Sequence, residues 1–254
     1  MVNVETERAG TSYPFYRARE RTAKDLTRRG SDDVHEAHQS GCRLDPKKGE
    51  VNMNVELLTS PLSFEKMEHI AALAALTCRG NADKNFSAPL VLERIIKAGH
   101  ESVLEHINLT YSVKGLSRAC LQELARHRHI SLSVESTRHT LRKQLENIKF
   151  LGELPEEYLS LAQSFALFVA TTPDLSNDEL KYYLPEFWPT DLILTSNVRE
   201  LRHILNLRTA PQALREFREL ARAMYEAVPE QFKYLLRDCV HEEQPQVQCA
   251  PEEV

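Results

Sequence analysis

Arg126-His127-Arg128, followed after an interval of seven residues by Ser136 and then by Arg138, brings three guanidiniums, an imidazole and a hydroxyl into the segment RHRHISLSVESTR. Arginine forks match phosphate oxygens with two parallel, charge-assisted hydrogen bonds. On a regular helix Arg126 and Arg128 would point about 200° apart. A shared anionic ligand therefore requires a frayed helix end or extended backbone at that point. Ser136 and Arg138 share a face if their segment is extended, which suits a grip on a phosphate or a uracil carbonyl. A solvated basic surface has the same composition. From Lys114 to Lys143 seven Lys or Arg residues stand against two acids, Glu123 and Glu135, in a chain of formal net charge −5. A local cationic cluster on an acidic chain fits a small anion better than a long polyanion, whose binder carries a broad basic face.

A second polar constellation is NVRELRHILNLR, Asn197 to Arg208. On a helix, Arg199, His203 and Asn206 form one stripe at i, i+4 and i+7, opposite Leu201, Ile204, Leu205 and Leu207. Such a stripe is either a solvated face or the lining of a cofactor groove. Other chemistries find less support. His127, His129 and His139 have no nearby Cys, no carboxylate paired at helical spacing and no HEXXH, so no metal site is expected. GxSxG is absent, and Cys120 lies among apolar neighbours and reads as core, so no protein nucleophile is expected. Aromatics for stacking bases are not interleaved with the arginines, so no nucleic-acid partner is expected.

These residues need elements to hold them. VELL near residue 55 reads as a short strand. Ser60-Pro61 looks like a helix start, and a helix over about 63–78 follows, with Ile70, Leu73, Ala74 and Leu76 toward the core. A second helix, about 88–98, stops at Gly99. Residues 107–114 alternate, with Ile107, Leu109, Tyr111 and Val113 on one face, as a half-buried strand does. Gly115 ends that strand, and Ser117 caps a helix over about 118–127. The basic motif thus begins at a helix end and runs on into extended or irregular chain. Further helices are predicted at 155–172, 176–183, 197–207 and 213–237, with a short apolar piece at Leu192–Leu194. The fold class is α/β of the α+β type, helix-rich with a small, mainly antiparallel sheet. No strand–GxGxxG–helix unit supports a Rossmann site.

The 254 residues suffice for a sizeable core, and 42% hydrophobic with 27% charged residues is ordinary for a globular chain. Residues 1–52 are charged and poor in aliphatics and read as a polar extension, partly disordered or docking as an arm. Residues 53–240 form the expected catalytic domain and 241–254 a flexible tail. No apolar run approaches the roughly 18 to 20 residues that cross a bilayer, and the polar N-terminus carries no secretory signal. Five scattered cysteines suit reduced thiols and a cytoplasmic setting, with no membrane partner.

Taken together these segments resemble the flavin-dependent thymidylate synthases. The family signature, RHR, seven residues, then Ser, is met by residues 126–136. GHESVLEH (99–106), LPEFWPTDLILTSNVRELRHILNLR (184–208) and Glu216 with Arg218 extend the resemblance over roughly residues 54 to 237. The resemblance implies an FAD enzyme that methylates C5 of a uridine monophosphate nucleotide, dUMP to dTMP. Methylenetetrahydrofolate would give the carbon and NADPH the reducing equivalents, in a homotetramer with active sites shared between subunits. It implies flavin contacts from Ser102, Arg126, His127, Arg128, Val134, Asn197, Arg199 and His203. The nucleotide site would draw on Glu123, Arg126, Val134, Glu135, Ser136, Thr137, Arg138, Lys181 and Arg208. Arg208 would be the catalytic residue, polarising the pyrimidine and favouring its ionised form. No protein nucleophile is required, in keeping with the residues. Three positions depart from the family pattern: His139 stands where Tyr is usual, Ser133-Val134 replaces a polar pair, and Lys181 stands where Arg is common. They surround the acceptor, so the alternative acceptor is UMP. A further alternative is a non-catalytic homologue that binds flavin and nucleotide.

Overall fold

The structure, a computed structural model, describes residues 53–82, 85–146 and 156–242. The expected extension at 1–52 and the tail from 243 onward lie outside the described residues. Among the described residues four strands form one sheet in the order β1-β2-β4-β3: β1 (Asn54–Leu57), β2 (Asn108–Ser117), β3 (Ile130–Val134) and β4 (Pro189–Asn197). Every pairing is antiparallel. Around the sheet lie α1 (Pro61–Thr77), α2 (Ala88–Lys97), α3 (Arg118–Leu124), α4 (Thr137–Glu146), α5 (Glu156–Thr171), α6 (Asn177–Leu180), α7 (Val198–Arg208) and α8 (Arg215–Glu226). The class expected from the sequence is the class observed. No helix among the described residues is long and apolar enough to cross a membrane.

The main core joins the inward residues of β2 and β4 to α1, α2, α7, α8 and the turn at 230–236. Ile107, Leu109, Tyr111 and Val113 are fully buried, as the alternation of β2 requires. A second buried cluster, Leu141, Phe165, Val169, Leu180 and Trp188, ties α4, α5 and α6 together.

Several expectations are corrected. Gly115 does not end β2. It sits at φ +75° in a bulge between Val113 and Leu116, its N–H bonded to Asp191 Oδ1 at 2.9 Å, and the strand runs on to Ser117. The short piece at 192–194 is the middle of a nine-residue strand with partners on both sides. Its inward row includes Thr190 and Ser196, both buried, which hid the apolar alternation. The segment after Ser136 is helical, not extended: Ser136 O accepts from His139 N and Thr140 N, and buried Leu141 with partly buried Leu145 gives α4 its apolar stripe. On α1 the core side is Phe64, Ala71, Ala72 and Ala75, while Ile70 and Leu73 are exposed, because the alanines allow close approach. Leu207 is exposed too. Helix α8 stops ahead of Pro229 and the chain continues as a 3-10 turn, Glu230–Leu235.

Candidate active site

The RHR motif leaves α3 through a tight turn. α3 ends at Leu124, and Arg126 N and His127 N bond to the carbonyls of Glu123 and Leu124. His127 thereby turns inward, 6% exposed, while Arg126 and Arg128 stay outside. The start of α3 is fixed from α8. Ser117 Oγ accepts from Cys120 N, and Ser117 gives both its N–H and its hydroxyl to the Glu216 carboxylate.

Helix α7 begins where β4 ends. Asn197 is the last residue of the strand and caps the helix, its Oδ1 accepting from Glu200 N at 2.8 Å. That sets the rotation of α7 and aims Glu200 and Arg208 at His127. Arg208 Nε donates to His127 Nε2 at 3.0 Å, and its Nη1 to Glu123 Oε2 at 3.0 Å. Its guanidinium lies 4.6 Å from the centre of the Phe217 ring, a cation–π distance. Glu123 also accepts from Arg126 Nη1 at 3.3 Å. Partial burial would raise the Glu123 carboxyl, but the hydrogen bond from Arg208 and the charges of both arginines hold it below the usual range. Burial pushes the His127 imidazole down. Its hydrogen bond to Glu200 pulls the other way, and the Arg208 charge adds to the lowering. Glu123, Arg126, His127 and Arg208 therefore form one network.

A second group of expected residues gathers in a cleft of about 730 Å³, where Asn197, Arg199 and His203 are joined by His129 and Asn206. The polar stripe of α7 is thus a groove lining. Arg199 pairs with Glu105 at 2.5 Å with both side chains half exposed, an ion pair that opens at little cost. Guanidinium, amide and imidazole donors suit the phosphates and ring carbonyls of a dinucleotide cofactor. Ser102 is exposed on the 3-10 turn Glu101–His106, whose Glu101 and Glu105 line the cleft.

The remaining expected residues sit elsewhere. Arg138 makes a bidentate pair with Asp178, 2.5 and 3.0 Å, and its carbonyl accepts from Asn177 Nδ2. Lys181 is exposed in the 3-10 turn following α6, Ser136 is exposed, and Thr137 is buried. Glu135 faces Gln144, whose Nε2 donates to it at 2.8 Å. The Val134 side chain packs against the main core, leaving only its backbone for a ligand.

A scan of family models matches residues 61–232 to the thymidylate synthase complementing proteins. A flavin-dependent thymidylate synthase of Campylobacter jejuni is 39% identical over 181 residues, 65% of this chain and 85% of that one. Another, from Wolinella succinogenes, is 41% identical over 161 residues, 58% and 78% of the two chains. The chain belongs to the flavin-dependent thymidylate synthase family. Thymidylate synthase X from Helicobacter pylori, solved with FAD and dUMP, matches with a TM-score of 0.64 at 30% identity, covering 74% of this chain and all of that one. The UMP/dUMP methylase PolB of Streptomyces cacaoi shares the fold, with a TM-score of 0.52 at 20% identity over 69% of this chain and 89% of that one.

Cys120 is fully buried, and burial, with the Glu216 charge adding, pushes its thiol up, away from thiolate reactivity. Cys120→Ala is expected to keep turnover within about twofold, a change of roughly 0.4 kcal/mol in barrier. A folded variant that loses turnover would contradict this. His127, Glu200 and His203 bring potential ligand atoms within 4.8 Å of one another, the residue types of a catalytic zinc site. The proton inventory opposes it. Arg208 only donates, so His127 Nε2 must accept and Nδ1, on the Glu200 side, carries the proton.

Sequence reasoning missed Glu200, Phe217 and Arg202. Arg202 is buried, with Glu101, Asp238 and the Leu235 carbonyl around its guanidinium. Its position four after Val198 and three before Leu205 puts it on the inward stripe of α7, the one signal that marked it.

Proposed function

We propose that the chain catalyses FAD-dependent reductive C5-methylation of dUMP to dTMP, with methylenetetrahydrofolate as carbon donor and NADPH as reductant. The observation that carries this reading is the setting of Arg208. Glu123, His127 and Phe217 hold it from three sides, and among the described residues only two of its five N–H donors are committed. A guanidinium fixed in this way beside a uracil lowers the energy of negative charge as it develops on the ring, without reorganising in the step. Bound flavin supplies the hydride chemistry. Asn197, Arg199 and His203 hold that cofactor in the cleft, and Arg138 grips the nucleotide phosphate.

Asp178 occupies the Arg138 fork as a phosphate would. Asp178→Asn is therefore expected to lower the KM for dUMP by about two- to fivefold, the value of an exposed ion pair, with kcat little changed. Steady-state kinetics decide it, and an unchanged or higher KM removes Asp178 as a competitor.

The assembly is a homotetramer with shared sites. Arg138 and Lys181 contribute nothing to the cleft, so its completion falls to other subunits, and Leu62, Ile70 and Leu73 on α1 with Leu161 and Leu167 on α5 offer exposed apolar surface for the contacts. The free thiols of Cys78, Cys120 and Cys239 suit a reducing, cytoplasmic compartment. The decisive experiment is anaerobic turnover with methylenetetrahydrofolate and NADPH, comparing dUMP with UMP, beside an FAD titration. Bound FAD and dTMP formation are expected. FAD uptake with no methylated product would overturn the catalytic reading, and faster methylation of UMP would reassign the acceptor.

A further inference from the structure

His127 is enclosed. The Phe217 ring meets it edge-on at 5.7 Å and 80°, and the His203 ring at 5.7 Å and 66°. Its two nitrogens face opposite partners: Arg208 Nε at Nε2, 3.0 Å away, and Glu200 Oε1 at Nδ1, 3.2 Å away. A neutral imidazole has two tautomers, and the partners choose between them. Arg208 has no lone pair to offer, so the tautomer with a proton on Nε2 would set donor against donor and push the guanidinium off. Glu200 accepts, and so favours the proton on Nδ1. The groups facing the ring are Glu200, His203 and Arg208 from α7, Glu123 from α3 by way of Arg208, and the uncharged Phe217 from α8.

We infer that Glu200 is the positioning residue of the active site: by fixing the Nδ1–H tautomer of His127, it makes Nε2 the acceptor that holds Arg208 in its working orientation. The inference rests on Arg208 being the cation that polarises the pyrimidine. Glu123 alone does not set that orientation, because its carboxylate is a third exposed and shared with Arg126. Glu200 is buried, its backbone fixed by the Asn197 cap, and its carboxylate meets the ring from the side opposite Arg208. An acceptor placed behind a histidine in this way sets tautomer and ring orientation for whatever the other nitrogen does, as in metal sites and catalytic triads.

Two variants separate this role from mere packing. Glu200→Gln keeps an acceptor: because Arg208 only donates, the amide must turn its oxygen to Nδ1–H. Glu200→Leu keeps much of the volume and removes the acceptor. Nitrogen-15 histidine spectra of the apoprotein, with the His127 signals assigned through His127→Gln, report the tautomer without any cofactor. The expected result is a protonated Nδ1 and a bare Nε2 in the wild type and in Glu200→Gln, which keeps most of its turnover. In Glu200→Leu the tautomer population shifts, and kcat falls on the order of 10- to 100-fold, the range known for the carboxylate behind a metal-bound histidine, with the KM for dUMP little changed.

The opposite tautomer in the wild type overturns the inference, and so does a Glu200→Leu protein that keeps both tautomer and kcat. A Glu200→Gln protein as impaired as Glu200→Leu also overturns it, since the acceptor would then not be what matters. If Glu200→Leu does not fold, the wild-type spectrum and Glu200→Gln still decide. Failure of the wild type to methylate dUMP would overturn the proposed function, while the apoprotein spectra would still read the tautomer.

Discussion

Arg208→Ala is expected to lower kcat for methylation roughly 100- to 1,000-fold, about 2.7–4 kcal/mol of barrier, while FAD still binds. The two effects separate because Arg208 is held in the His127 network and is not among the residues lining the cleft. Its positive charge is already oriented before any substrate arrives, so its removal acts on the transition state more than on binding. Arg208→Lys should recover little. An ammonium has no fork, and cannot hold Glu123 and His127 while still facing a ring. Single-turnover rates with FAD-loaded protein check the expectation. Near-normal rates in Arg208→Ala would take the residue out of the chemistry.

The second large effect concerns stability. The Arg202 side chain is 5% exposed and reaches Glu101 in the 3-10 turn before β2, Asp238 beyond α8 and the Leu235 carbonyl. Those hydrogen bonds hold the Asp238 carboxyl below its usual range. Replacing Glu101 and Asp238 together by alanine strands a buried cation. The expected cost is about 3 kcal/mol, the lower end for a broken buried pair, because both acids are partly exposed and water can follow them. For a chain of this size that is roughly 6–12 °C in Tm. Arg202→Met, which removes the charge itself and leaves two acids that water can reach, should cost less. Thermal unfolding of the two variants side by side tests the order, and a double variant that melts with the wild type would contradict it.

Much of this architecture was legible because it follows from local rules. Ser60-Pro61 starts α1, Gly99 stands past the end of α2 with φ +70°, and the apolar–polar alternation of β2 is plain in the letters. The stripe Arg199, His203, Asn206 was legible as a geometric object, and its role as groove lining needed only a neighbour to face. What stayed hidden is of two kinds. β4 and α4 carry threonine, serine and basic residues at positions where tertiary packing supplies the burial, so periodicity was weak. Glu200 and Arg202 are charged residues inside the fold, and their partners lie from 33 to 101 positions away. No short-range pattern encodes a contact at that separation. Ser136-Thr137-Arg138 shows the cost of reading spacing without the backbone, since a two-residue interval shares a face in a strand and diverges on a helix.

The strand order has a consequence for how the chain is made. Among the described residues β3 pairs only with β4, and β4 also pairs with β2, where Asn108 meets Asn197. While the ribosome is still short of residue 189, β3 has no strand partner among the described residues, and β2 pairs among them with the short β1 alone. Long-range closure of this kind slows folding and leaves strand edges open on the nascent chain, a stage at which chaperones find their substrates. The same late strand runs straight into α7, which carries Glu200 and Arg208. Completion of the sheet and assembly of the site are therefore a single late event in biosynthesis, and a chain released before that strand emerges has neither.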